Sequence, residues 1–191
     1  MSIAMHEWPR RHRISVEHYY RMAEAGLFAP DERVELIDGE IFDMPPMGTR
    51  HAAKLSRLVE MVSAAVGDRG IVRVQLPLRL DDASEPQPDI AVVLPRSDYY
   101  EQRHPGGADT LLAIEISDTT LEFDRDVKAP LYLEHGVAEC WVLDIRANRL
   151  LRFRRSAGRE IVSTECDFGA IAIAALPGVT VNLEPLATRN A

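Results

Sequence analysis

Two apolar, strand-like runs each contain one carboxylate, and a lysine follows the second. The first is Asp89-Ile90-Ala91-Val92-Val93-Leu94, entered through Pro88; the second is Leu111-Leu112-Ala113-Ile114-Glu115-Ile116. Lys128 lies thirteen residues beyond Glu115. An ionised carboxylate buried among Leu and Ile is costly unless a partner offsets it, so Glu115 demands one. A divalent cation shared with Asp89 would serve. Hard oxygen donors favour Mg²⁺ or Mn²⁺ over zinc, and metal-assisted phosphodiester cleavage is the chemistry such a pair suits. Each residue also has a plainer role. Asp89 after a proline fits ordinary turn chemistry, and either acid could be matched by an arginine or a backbone cap. Lys128 could place an ammonium beside a scissile phosphate, or pair on the surface with Asp124 four residues earlier.

Other polar residues attend this trio. Glu35 alternates with Val34 and Leu36, as a third acid near the cation or as the outward residue of an edge strand. His51 opens a helix on its inward side, as a proton donor, a phosphate contact or a satisfied core histidine. Tyr132 follows Lys128 by one helical turn, and packing is its expected role. Glu139 and Asp144 bracket the next apolar run and are read as structural. Cys140 has no activating context. The chain contains neither a Gly-rich phosphate loop nor a Gly-x-Ser-x-Gly elbow.

The elements that must position these residues follow from periodicity. Ser15 caps an amphipathic helix carrying Val16, Tyr19, Tyr20, Ala23 and Leu27, with Gly26 at its end. Val34 to Phe42 reads as a hairpin turning at Asp38-Gly39. A second helix spans roughly 50 to 66, with His51, Leu55, Leu58 and Val62 on one face. Residues 71 to 80 alternate as one half-buried strand. A short helix is expected around 125 to 135, limited by Pro130 and closed at Gly136. The runs at 89, 111 and 140 are apolar throughout, which marks strands covered on both faces. Strand, helix and strand from Leu111 to Ile145 form a βαβ-like unit, and the segments from Arg149 onward an antiparallel extension. The expected fold is α/β, a mixed central sheet flanked by helices.

At 191 residues, with 46% hydrophobic and 27% charged content, the chain suits one domain with a substantial core. The division expected is an N-terminal arm over 1–14, a domain over 15–185 and a tail over 186–191. No secretory-type or bilayer-length apolar segment stands in the sequence, so the cytoplasm is the default expectation. A net charge of −8 disfavours simple electrostatic binding of nucleic acid. Basic residues nevertheless cluster at Arg10, Arg11 and Arg13 and again at Arg146, Arg149, Arg152, Arg154, Arg155 and Arg159, as a phosphate-facing stripe or a solvated edge.

Taken in order, these segments resemble the Uma2 family, a bacterial group of endonuclease-like proteins with the PD-(D/E)XK restriction-endonuclease fold. The matching pieces are Val34 to Glu40, His51 at a helix start, Gln87 to Val93, Ile114 to Ser117, Asp124 to Tyr132 and Gly136 to Asp144. The resemblance spans about Ser15 to Phe153. It implies a restriction endonuclease-like core in which the lysine has moved from the Glu-x-x position, held here by Ser117, to the following helix at Lys128. Carried over by position, Asp89 and Glu115 would be metal ligands for Mg²⁺ or Mn²⁺ and Lys128 the catalytic cation. Glu35 and His51 would complete the catalytic set. Cys140 departs from the tyrosine usual there. The implied activity is a metal-dependent DNA endonuclease, with DNA as partner and a homodimer expected. The rival readings are a catalytically silent binding or regulatory module, a structural ion network without metal, and hydrolysis of another phosphoester.

Overall fold

The three apolar runs lie side by side at the centre of a six-stranded sheet. The computed structural model describes residues 11–187; Arg10, most of the N-terminal arm and residues 188–191 lie outside the described residues. The chain runs α1 (Val16–Glu24), β1 (Val34–Ile37), β2 (Glu40–Asp43), α2 (Thr49–Val66), β3 (Ile71–Val74), β4 (Ile90–Val93) and β5 (Thr110–Ser117). It continues through α3 (Leu121–Phe123), a π-turn (Asp124–Lys128), α4 (Ala129–Glu134), β6 (Glu139–Asp144), β7 (Arg149–Arg155), β8 (Ile161–Asp167), β9 (Ala170–Ala172) and β10 (Thr180–Asn182). The large sheet has the order β3-β4-β5-β6-β7-β8. β5 and β6 are parallel and every other neighbouring pair is antiparallel. The parallel pair is the expected strand–helix–strand unit, and the later strands are its antiparallel extension.

Alternation along these strands separates two cores. Ile90, Val92, Leu112, Ile114, Ile116, Trp141 and Leu143 face α2 and the β9–β10 hairpin. Ala91, Val93, Ala113, Cys140 and Val142 face α4, where Ala129, Tyr132 and Leu133 close over them. A period-two strand therefore sends Asp89, Glu115 and Ser117 to the α4 side, because they share parity with Ala91 and Ala113. On the other side β6 also carries a buried acid, Glu139, which has no exposed surface. There Arg152 Nε and Nη2 donate to Glu139 Oε1 at 2.9 and 2.6 Å, and the Ala174 amide donates to Oε2 at 2.8 Å. Arg152→Ala would leave that carboxylate without its cation, and a loss of about 2 kcal/mol is expected. An unshifted urea midpoint for this variant would show that Glu139 is matched some other way.

Three elements differ from expectation, each for a local reason. The strand predicted over 71 to 80 ends at Val74, because Gln75 adopts φ +50° and turns the chain out of the ladder. The α1 helix stops at Glu24, and Leu27, expected on its apolar face, is 65% exposed beyond Gly26. The helix expected around 125 to 135 begins at Leu121 and is broken by the π-turn. Pro130 has no amide to donate to the carbonyl four residues back, and the Ala129 amide reaches five residues back to Asp124 O. The hairpin of β1 and β2 forms as predicted, with Asp38 and Gly39 both at positive φ.

Candidate active site

Antiparallel pairing of β4 with β5 sets Ile90 against Ile114. Continuing that register by one step brings Asp89 level with Glu115. The Asp89 amide donates to Glu115 Oε2 at 3.4 Å, and the Ile116 amide donates to Asp89 Oδ2 at 2.8 Å. Two carboxylates thus sit together on one face of the sheet at its open end, where β4 begins and β5 finishes. The π-turn and α4 bring the cation. Lys128 Nζ lies 3.0 Å from Glu115 Oε1 and 3.1 Å from Glu35 Oε1, with only 3% of the residue exposed. Lys128 is therefore buried between two acids, and the surface pairing with Asp124 is replaced by these contacts.

Glu35 points inward from β1, 3% exposed, and its Oε2 also accepts the Gln87 amide at 3.0 Å. It is not the outward residue of an edge strand. His51, on the first turn of α2, bonds through Nε2 to Asp89 Oδ1 at 2.9 Å. All five residues singled out from the sequence therefore converge, with Asp89 and His51 joined on one side and Glu115, Lys128 and Glu35 on the other.

Sequence reasoning missed four further members. Gln75, in its left-handed conformation, donates from Nε2 to Asp89 Oδ1 at 3.1 Å. Tyr132 packs as expected, yet its hydroxyl also donates to Glu115 Oε1 at 2.6 Å. Asp124 is buried and accepts from Ser117 Oγ at 2.7 Å and Thr120 Oγ1 at 2.6 Å. Ser117, in the Glu-x-x position, thus anchors an acid. The sequence signals for Asp124 are its four-residue spacing to Lys128, which also fits a surface pair, and its place at the start of the Asp124 to Tyr132 segment.

Charge balance in this cluster is unusual. Burial raises Glu115 from 4.5 to about 8; Lys128 opposes the shift, while Asp124, Asp89 and Glu35 add to it. Burial likewise raises Asp124, against the pull of Lys128 and its two hydroxyl donors. Burial would discharge Lys128, but Glu115, Glu35 and Asp124 together outweigh it, so the ammonium stays charged. Burial would also raise Asp89, but His51, the Ile116 amide and Gln75 stabilise its anion and lower it. Burial alone would lower His51; its bond to Asp89, helped by Asp124 and Asp118, raises it. Cys140, buried on the same side, is pushed well up by burial and is inert as a nucleophile.

Glu35, His51, Gln75, Asp89, Glu115, Asp124 and Lys128 line a cleft of about 420 Å³ that also contains Arg33, Phe42, Asp43, the 44–48 connection, Asp118, Thr119, Thr120 and Phe123. Among the described residues no three or more His, Cys, Asp and Glu side chains form a ready-made metal cage. The donor chemistry nonetheless fits a hard cation: four clustered carboxylates face one lysine and one histidine, and burial disfavours the ionised form of Glu115, which a divalent ion would favour. Mg²⁺ characteristically uses one or two carboxylates, with water and phosphate oxygens filling its other positions.

The arginine clusters are largely occupied. Arg146 binds Asp118, Arg149 binds Glu165 and Asp167, and Arg152 binds Glu139. Arg11 and Arg13 pair with Glu40 and Asp38. No helix among the described residues is long and apolar enough to cross a membrane.

Comparison with known proteins agrees with this architecture. The chain is similar over most of its length to a protein of Anabaena variabilis ATCC 29413 whose crystal structure is described as "a putative nuclease belonging to DUF820". The TM-score is 0.66 at 18% identity, covering 91% of this chain and 97% of that one. At that identity the likeness is one of fold. No curated protein matches the chain. The profile of Uma2, described as "Putative restriction endonuclease", matches residues 16–184. The chain, with its mixed α/β fold, belongs to the Uma2 family.

Proposed function

We propose that this protein is a divalent-metal-dependent DNA endonuclease, with Asp89 and Glu115 as the cation's carboxylate ligands and Lys128 as the catalytic cation. The observation that carries the reading is the meeting of two neighbouring-strand carboxylates with a buried ammonium in one cleft. When bound, Mg²⁺ or Mn²⁺ would acidify a water and polarise a phosphate oxygen. The protein's own groups do the rest. Lys128, kept charged by its acids, acts by electrostatics and not as a base, offsetting negative charge that builds on the phosphate. Glu35 holds the ammonium in place from the opposite side. Gln75 and the Ile116 amide fix the rotamer of Asp89, and Tyr132 does so for Glu115. His51, bonded to Asp89 at the cleft, would hand a proton to the departing oxygen.

A structural ion network has one observation in its favour: Lys128 already has two carboxylate partners at 3.0 and 3.1 Å. Cleavage of supercoiled plasmid, single-stranded DNA and free nucleotides, with Mg²⁺ or Mn²⁺ and with EDTA, separates the readings. Cation-dependent nicking of DNA, lost in EDTA, is the expected result. Mn²⁺ titration giving no heat above buffer, together with no cleavage, would leave the ion network standing. Turnover of nucleotides alone would redirect the substrate.

A further inference from the structure

The cleft above Asp89 and Glu115 has two chemically distinct kinds of lining. One is acidic: Glu35, Asp43, Asp89, Glu115, Asp118 and Asp124 all line it, against Arg33, Lys128 and His51. Lys128 is committed to Glu35 and Glu115. Such a field opposes phosphate, most strongly the denser charge of a duplex, and leaves little for counterion release to contribute. Beside these acids the cleft wall is apolar, formed by Phe42, Met44, Pro45, Pro46, Met47 and Phe123, with Phe42 directly across the hairpin from Glu35. The Phe42 and Phe123 rings lie 5.2 Å apart at 46°, both half-buried, and Met47 is 37% exposed. Aromatic and thioether groups in an open cleft offer a flat, adaptable surface to a π-face.

We propose that this wall stacks an unpaired base beside the scissile phosphate, so that the substrate is DNA with unstacked nucleotides (a single strand, gap or flap) in preference to intact duplex. The inference rests on the nuclease reading above and names its substrate class. A cleft of about 420 Å³ accommodates a nucleotide. A paired base keeps its faces inside the duplex stack and cannot reach the wall without being pulled out. Stacking on aromatic side chains is strong and indifferent to sequence, which suits a site whose charge contributes little attraction. Two partly exposed arginines beside Asp118 could meet flanking phosphates, Arg146 only by giving up its bond to that acid. Arg146 and Arg50 lie 2.8 and 4.0 Å from Asp118, with side chains 60% and 50% exposed.

The test uses the full chain and fluorescent oligonucleotides, with Ca²⁺ as the hard cation, on three matched ligands: a blunt duplex, the same duplex with a single-stranded gap, and the gap made abasic. The base-bearing gap is expected to bind about tenfold more tightly than the other two, a ratio within the range of one stacked base. A 2-aminopurine in the gap should lose fluorescence on binding, and Phe123→Ala should remove both the quenching and the preference. Should Phe123→Ala melt early by circular dichroism, Phe42→Leu and the wild-type comparison with the abasic gap decide the matter alone. Equal binding of duplex and gap, or of abasic and base-bearing gaps, would overturn the stacking site. Duplex cleaved in Mn²⁺ as readily as gapped DNA would do the same and leave the nuclease reading intact. A gap preference without any cleavage in Mg²⁺ or Mn²⁺ would uphold the stacking site and defeat the nuclease reading.

Discussion

Lys128→Met is expected to lose about 3–5 kcal/mol of stability near pH 8, and cleavage is expected to fall by about 10²–10³-fold. The methionine fills nearly the same volume, so the effect isolates charge. It leaves Glu35, Glu115 and Asp124 buried with their shared cation gone. Buried acids respond by taking protons, so the deficit should shrink toward pH 5 as protonation substitutes for the ammonium. Adding Glu115→Gln to Lys128→Met should recover part of the loss, because the two residues are in contact and their effects do not add. Urea denaturation at two pH values, with nicking assays on the variants that fold, checks each step. An unchanged midpoint at pH 8 would show that the acids are neutralised without Lys128. Full cleavage by Lys128→Met would remove it from the chemistry.

The legible parts of this fold were those where local pattern and tertiary environment agree. The unbroken apolar runs of β4, β5 and β6 gave away a sheet covered on both faces, and Asp38-Gly39 gave away its hairpin. Glu115 stood out because nothing apolar tolerates a bare carboxylate. What stayed hidden depended on contacts between distant segments. Glu35 could be called inward or outward with equal justice from alternation alone. It turns inward because Lys128 and the Gln87 amide, from segments far along the chain, arrive to meet it. Gln75 looked like the polar face of a continuing strand; its left-handed backbone is imposed where the chain leaves the sheet and its amide meets Asp89. Asp124 lost its apparent surface role because the π-turn beside Pro130 turns both it and Lys128 inward. Glu35, Gln75 and Asp124, where the sequence rules failed, line the cleft, consistent with local strain being kept at working sites; the early end of α1 at Glu24 lies elsewhere.

The pH dependence of stability should betray the same cluster. Glu115 titrates near 4.5 in the unfolded chain and about 8 in the fold, so between those values the folded protein holds more protons. Its contribution is fully present below about pH 4.5 and is lost as pH rises through about 8, a swing on the order of 5 kcal/mol. Asp124, also raised, acts in the same direction, and so does His51, whose contribution is present below 6.5 and fades above it. Asp89 is lowered; its contribution is present above 3.8 and lost only on acidification, outside this window. In EDTA, urea denaturation of the wild type should therefore weaken steadily from about pH 5 to about pH 8. Glu115→Gln should flatten most of that slope, since a neutral amide has no proton to lose. A wild-type curve that is level or rising across this range would mean Glu115 is ionised and satisfied in the fold. A falling curve would mean the protein carries a carboxyl group that is hard to ionise until positive charge arrives, a property that costs stability and suits a site meant to receive a cation.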